Sequence, residues 1–408
     1  MLLVHMKNVT LHSKGLARIE AGHPWIYRSQ IKEAASSISP GEIVSVFSDT
    51  PWHDKKARRK KWIGIGYFNP KSEISIRLLT RLETNIDRNF FLDRIQKAMH
   101  WRKTHLNQTN ALRWINSESD GLPGLILDEY NGYFVLQIST LGMEVQKNLI
   151  VEIIKDLFHP KGLYERNDIP TRSFEGLPLS KGRLDGENLP ELIEIQEGKT
   201  RFYIDIVNGH KSGFYLDQRD NRMLTAKLSE GREVLDCFSY TGGFAISCLT
   251  HGAKNALAVE VSQEALDIAR KNALLNQVQD RWQDHLGNGF DLLKSLSSEG
   301  RKFDLIILDP PSFTRKKERV EQALAGYKEI NLRAIKMLRE GGTLVSASCS
   351  HHIQENLFEE VILQAASDNK RVLYLIYRGT QGLDHPIIPS IPETQYLKCF
   401  FFEARHLS

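Results

Sequence analysis

Cysteine is scarce, with four residues in 408. That excludes a disulfide scaffold and suits thiols kept reduced, so a cytoplasmic location is expected. Long apolar runs are missing too. No stretch approaches the roughly 18 residues that a membrane-crossing helix needs. The opening MLLVHMKNVTLHSKG lacks the apolar core and small-residue cleavage site of a signal peptide. Neither sign of charge dominates: 54 Lys and Arg against 50 Asp and Glu leave +4 with neutral His. So small an excess does not by itself indicate a polyanion partner. The absence of a GxGxxG fingerprint disfavours a nicotinamide enzyme. No CxxC or Cys/His pair stands at zinc spacing, so no metal is expected. Internal repeats and low-complexity tracts are absent. What is present is an ordinary balance, 41% hydrophobic and 25% charged, in a chain long enough for two or three domains.

Residues 1–82 read as a small β-rich unit. VTLHS, EIVSVF, WIGIGYF and EISIRLL are strand-like, and SPGE and NPKS punctuate them. Residues 83–188 read as α+β. NIDRNFFLDRIQKAMHWRKTHL has a helical period, with Phe91, Ile95, Ala98 and Trp101 on one face. Asn131-Gly132 joins LILDEY to YFVLQIS as a hairpin turn. MEVQKNLIVEIIKDLF reads as an amphipathic helix, GLYERND as a strand, and SKGRLDGENLPE as a linker or exposed loop. Over 189–408, EVLDCF, NALAVE, FDLIIL and TLVSAS alternate with helical runs. That order predicts an α/β domain, a parallel sheet with helices on both faces. RVLYLIY and QYLKCFFF are expected to finish the sheet antiparallel.

Chemistry concentrates at the ends of these strands, where open α/β sheets bind ligands. In LDCFSYTGGF, Asp236 ends a strand, and Gly242 and Gly243 permit close approach of a ligand to the backbone. Glu260 ends the next strand and could accept hydrogen bonds from ribose hydroxyls. In LDPPSF, Asp309 is followed by two prolines that stiffen the backbone, a setting suited to a planar base or an amine. In SASCSHH, Cys349 sits among hydroxyls and histidines, whereas Cys237, Cys248 and Cys399 read as small buried hydrophobes. Taken singly, each has a plainer reading: a turn, a solvated acid, a rigid corner, a buried thiol.

Together these motifs resemble class I S-adenosylmethionine-dependent methyltransferases. With NGHKSGFYLDQRDNR (208–222), VEVSQEALDIARKNALLN, GYKEIN and DHPIIPSIPETQYLKCF, the chain is similar to the bacterial 23S ribosomal RNA cytosine-C5 methyltransferases of the large-subunit methyltransferase I family. The likeness includes HPWIY (23–27) and ESDGLPGLILD (118–128), and so covers nearly the whole chain. It implies a PUA RNA-binding domain (1–82), a small α+β domain (83–188) and a Rossmann-like catalytic domain (189–408). It implies S-adenosylmethionine as cofactor and large-subunit ribosomal RNA as partner.

By that resemblance, Phe214, Leu216, Asp217, Gln218 and Arg219 close over the cofactor. Asp236, Phe238, Ser239, Tyr240, Thr241, Gly242, Gly243, Glu260, Val261, Asn288, Asp309 and Pro310 line it. Glu260 stands where relatives commonly carry Asp, and Asn288 where the adenine-contacting Asp is usual. Cys349 is the implied nucleophile and Asp309 the residue that holds the base; His351 and His352 receive no catalytic role.

RNA contact is expected from Lys55, Lys56, Arg58, Arg59, Lys60 and Lys61, flanked by Trp52 and Trp62, and from Arg315, Lys316, Lys317 and Arg319 after DPPSF. A solvated loop is the alternative for the first run. His23, Pro24 and Trp25 belong to the PUA-like pattern, by burial or by RNA contact. Two rival functions remain: an RNA base N-methyltransferase with a structural cysteine, and a ribosome-assembly protein that binds RNA without catalysis.

Overall fold

The computed structural model describes residues 6–51, 60–106, 108–314 and 317–407. The chain divides into two units, Met1–Glu191 with Asp384–Thr394, and Leu192–Leu383 with Gln395–Ser408. Among the described residues no helix is long and apolar enough to cross a membrane.

In the first unit, a six-stranded sheet runs in the order Trp25–Ile26, Ile76–Thr80, Lys60–Phe68, Ile43–Pro51, Lys7–Leu11, Ile31–Ala34. Val9, Leu11, Val44, Val46 and Ile63 fill its core. A five-stranded sheet follows: Ser180–Gly186, Gly162–Asn167, Tyr133–Ile138, Leu125–Tyr130, Ala111–Asn116. The helices Arg88–His105 and Lys147–Phe158 supply Phe91, Ile95, Ile150 and Ile154 to its core. The Asn131-Gly132 hairpin forms as read, with both residues at positive φ (52° and 85°), as a primed turn requires.

Three readings of this unit need correction. Trp101 is exposed and stacks on His105 at 4.0 Å; Arg102 takes the inward place. The inner stripe is 91, 95, 98, 102, which keeps the 3.6-residue period that a step to 101 breaks. SKGRLDG is not a loop but an edge strand, antiparallel to Gly162–Asn167. Leu184 is its one large apolar side chain and packs on the core, which is too little to mark an alternation. Residues 384–394, expected within 189–408, group with the first unit. There Arg113 N–H donates to the Asp384 carboxylate (3.0 Å), Arg102 donates to the Asp384 carbonyl (2.9 Å), and Glu393 pairs with Arg18 and with buried His23 (2.9 Å).

The second unit begins with a hairpin, Ile193–Glu197 and Thr200–Ile204, that the sequence reading does not name although Ile193, Ile195, Phe202 and Ile204 alternate with polar residues around Gly198-Lys199. The sheet strands are β1 (Glu233–Cys237), β2 (Asn255–Glu260), β3 (Trp282–Leu286), β4 (Phe303–Leu308), β5 (Leu338–Ser348), β6 (Arg371–Gly379) and β7 (Lys398–His406). Their order is 3-2-1-4-5-7-6. Strands β1 to β5 are parallel to one another, and β7 enters antiparallel between β5 and β6, as expected. The polar β3, WQDHL, escaped the strand reading. The helices are α1 (Arg219–Lys227), α2 (Gly243–Thr250), α3 (Gln263–Leu275), α4 (Gly289–Ser298), α5 (Val320–Met337) and α6 (Glu355–Asp368). Leu235, Ile306, Leu344 and Phe402 are fully or nearly fully buried in the sheet, each worth about 1.5–3 kcal/mol of hydrophobic burial. Sequence order reverses at β1, between β2 and β4, so the carboxyl ends of β1, β2, β4 and β5 open on one crevice.

Candidate active site

The turn after β1 is sharply bent. Phe238 (φ 66°), Tyr240 (φ 49°) and Gly242 (φ 80°) are left-handed, two of them without the freedom of glycine. Such strain persists only where surrounding structure enforces it. Here Asn272 donates to the Thr241 carbonyl (3.0 Å), and the Glu260 carboxylate accepts from the N–H groups of Tyr240 (2.8 Å), Val261 (2.8 Å) and Ser262 (3.1 Å). Glu260 thereby ties the ends of β1 and β2 together. A Cβ on Gly289 would lie 2.8 Å from the Phe238 ring, which fixes how closely the loop before α4 approaches.

Asp236 is buried. Its Oδ2 accepts from Ala245 N–H at the start of α2 (3.0 Å), while its Oδ1 and the Thr241 hydroxyl are buried with no hydrogen-bond partner among the described residues. Burial pushes its carboxyl up to about 8, and Asp309 and Glu260 push the same way. A cluster of acids with unused oxygens suits a ligand that carries positive charge and hydroxyls.

The segment before α1 forms the next wall. Asp217 is buried and accepts from Tyr396 O–H (2.7 Å) and from the Lys211 ammonium, which also lies over the Tyr215 ring at 4.3 Å. His210 stacks on Tyr240 (4.6 Å, 9°). Arg222 makes a bidentate pair with Glu197 (2.7 and 3.1 Å) and donates to the Tyr215 carbonyl (2.7 Å). Phe214 packs against Phe202 and the Arg222 guanidinium, and Leu216, Gln218 and Arg219 are buried beside it.

Register places the ends of β4 and β5 side by side, Leu308 opposite Ser346. Asp309 follows one and Cys349 the other. Burial and Asp217 push the Asp309 carboxyl up to about 6, against Lys211, the Gln218 amide and Arg222. Of the four cysteines, Cys237, Cys248 and Cys399 are buried and Cys349 is half-buried. Burial and the negative Asp309 raise the Cys349 thiol; Lys211 and Lys398 oppose them. A hydroxyl chain joins the two loops. Ser312 meets Ser350 at 3.0 Å, Ser350 meets Tyr327 at 3.0 Å, and Ser348 donates to Tyr327 at 2.9 Å.

Other expected residues are placed less centrally. Val261 is exposed. Asn288 caps α4, its Oδ1 accepting from Phe290 N–H (2.8 Å), which leaves its NH2 group for other partners. His23 is fully buried, which decides for the core reading. Lys60 pairs with Glu33 and Lys61 with Glu20, and Trp62 donates to the Arg81 carbonyl (2.8 Å) and packs on Phe47. Lys317 and Arg319 are exposed. Trp52, Lys55, Lys56, Arg58, Arg59, Arg315 and Lys316 lie outside the described residues. Sequence reasoning assigned no role to Lys211, Tyr215, Tyr327, Ser350, Tyr396 or Lys398. All stand inside the quoted motifs, but several of their partners lie 20 to 180 residues away.

Known proteins bear on this geometry. Residues 179–401 match the family model of S-adenosylmethionine-dependent methyltransferases, and residues 9–81 match a PUA-like domain. The ribosomal RNA large subunit methyltransferase I of Escherichia coli is 38% identical over 93% of this chain and 94% of its own length. That of Yersinia pseudotuberculosis has the same identity and coverage. In fold, the chain is similar to SMU.776 crystallised with SAH, with a TM-score of 0.82 at 20% identity over 98% of this chain and 100% of that one.

Proposed function

Because the chain belongs to the ribosomal RNA large subunit methyltransferase I family, we propose that it methylates carbon 5 of a cytosine in 23S ribosomal RNA, with Cys349 as nucleophile. Its methyltransferase cofactor is S-adenosylmethionine, which when bound supplies an electrophilic methyl on a sulfonium. The strand-end acids suit that positive group. The unpartnered Asp236 Oδ1 and Thr241 hydroxyl are open to hydrogen bonds; Glu260 would accept from the ribose hydroxyls and Asn288 would bond to the adenine. Phe214, Leu216, Asp217, Gln218, Arg219 and Pro310 would enclose it.

Cytosine carbon 5 is a weak nucleophile. Addition of the Cys349 thiolate to carbon 6 forms an Sγ–C6 bond and turns the ring into an enamine, nucleophilic at carbon 5. The Asp309 carboxyl holds the base at N3 and the N4 amino group and gives its proton to N3 as the sulfur adds, which stabilises the adduct. Carbon 5 takes the methyl as the methyl–sulfonium bond breaks, leaving a thioether; loss of the carbon-5 proton to a base and cleavage of Sγ–C6 then restore aromaticity and free the thiolate, and N3 returns its proton to Asp309. The DPP prolines hold Asp309 at the strand end, and the hydroxyl chain holds its loop to that of Cys349.

One observation carries this reading: Cys349 is the half-exposed cysteine, and it follows the strand next to the one that ends at Asp309. A structural cysteine, as in the N-methyltransferase alternative, would share the burial of the other three. The PUA-like domain and the basic residues after DPPSF support RNA as substrate, with the target base turned out of its stack. Large-subunit RNA carrying 5-azacytidine should trap a covalent complex through Cys349 that peptide mapping locates. A methylguanosine or methyladenosine product, with no trapped complex, would refute the proposal.

A further inference from the structure

Lys398 is a buried lysine outside the roles assigned so far. It opens β7, directly opposite Ser348, the last residue of β5. Its Nζ donates to the carbonyls of Ser350 (2.8 Å) and Ile353 (2.9 Å), the turn that begins at Cys349. The Ser350 hydroxyl is held from another direction by Tyr327 and Ser312. The cysteine is thus carried on a turn clamped by a cation through its carbonyls and by hydroxyls through its side chain.

We infer that Lys398 is a positioning residue for the proposed nucleophile, fixing the Cys349 turn and lending positive charge to its thiolate. The inference rests on the reading of Cys349 as nucleophile and adds what activates it. A buried ammonium costs desolvation, and two neutral carbonyls return only part of that cost. A nearby anion offsets more. Burial lowers the Lys398 ammonium to about 8, while Cys349 and Glu355 at the start of α6 act to keep it charged. At the thiol, Asp309 and Asp217 oppose ionisation, and Lys211 and Lys398 favour it. Tyr327 and Tyr215, both with hydroxyls pushed up, complete the titratable surroundings. Lys211 is half-spent on Asp217. Among the described residues Lys398 has no carboxylate within salt-bridge distance, and one of the two carbonyls that hold it belongs to Ser350, the residue after Cys349.

The thiol can be titrated directly, without RNA. Iodoacetamide alkylation of Cys349 in the full-length protein, followed by mass spectrometry of its peptide between about pH 6.5 and 7.5, where the Lys398 ammonium is charged, reads the thiolate fraction as a rate. Lys398→Gln keeps hydrogen-bond donors for the two carbonyls and removes the charge. Its alkylation at pH 7 should be about three- to tenfold slower, and the gap should close above about pH 8, where the lysine itself loses its charge. Lys398→Arg, which keeps the charge, should return the rate toward that of the unaltered protein. Binding of SAH by both variants certifies the fold. A Lys398→Gln rate at pH 7 equal to that of the unaltered protein overturns the inference, as does a loss that Lys398→Arg reproduces in full. Neither result touches the nucleophile reading, which stands or falls on RNA methylation by Cys349→Ala.

Discussion

Both units bury charge, but on different terms. In the first, burial comes with a partner. Arg102 is fully buried and grips Asp120 with two hydrogen bonds (2.6 and 2.8 Å), Arg113 grips Asp128 (2.7 and 2.9 Å), and Arg77 meets Glu175 (2.7 Å), whose carboxyl sits below its usual range. In the second, Arg222 and Glu197 are paired in the same way, but at the strand ends burial and neighbouring acids push Asp236 and Asp309 up, and burial pushes Lys398 down. Burial alone does not distinguish a structural charge from a functional one. The distinction lies in whether desolvation is offset within the fold or left for a ligand to offset.

The contrast can be broken at several points. Cys349→Ala should lower RNA methylation by about 10³-fold or more with an unchanged melting temperature; retention of a tenth of the activity would remove the cysteine from the chemistry. Arg102→Ala should do the reverse, costing about 3–5 kcal/mol of stability because Asp120 is left buried without its partner. Urea unfolding of the full chain reads this, and a loss below about 1 kcal/mol would make the pair ornamental.

Methylation should climb with pH. The thiol is raised above its ordinary value, so its ionised fraction grows by about tenfold per unit between pH 7 and 8.5. A flat profile measured at saturating substrates would count against a rate-limiting attack by sulfur. Asp236→Asn should weaken SAH binding by about tenfold, or about 1.4 kcal/mol. Its effect on the ligand-free fold runs the other way. Between the ordinary carboxyl value of 3.8 and about 8, the folded chain keeps a proton that the unfolded chain releases, so stability drains away as pH rises through that window. The asparagine variant lacks this drain. It should match the unaltered protein near pH 4 and melt higher at pH 8 in calorimetry.

Much of this was legible locally. Asn131-Gly132 dictates its hairpin through the φ values it tolerates. Asp236 and Glu260 stand at the ends of apolar strands, Asp309 and Cys349 directly follow theirs, and the βαβ order brings such ends to one edge. Less legible were features whose causes lie far along the chain. Lys398 reads as one more lysine until β7 inserts beside β5. Tyr327 reads as helix core until Ser348 and Ser350 arrive at its hydroxyl. The strand Ser180–Gly186 has no side-chain pattern because Leu184 alone of its side chains packs on the core, and the rest of the strand is held by its backbone and by polar contacts. Arg102 occupies a core position because Asp120 and two carbonyls await it, and hydropathy cannot anticipate that.

Residues 384–394 carry a consequence for biosynthesis. They are made between β6 and β7, after almost everything else, yet they complete the unit that emerges from the ribosome first. Until they appear, the Arg113 amide and the His23 imidazole wait for Asp384 and Glu393. Early release of the nascent chain would therefore strand the N-terminal half unfinished, and a cut near residue 191 would not yield two independent pieces.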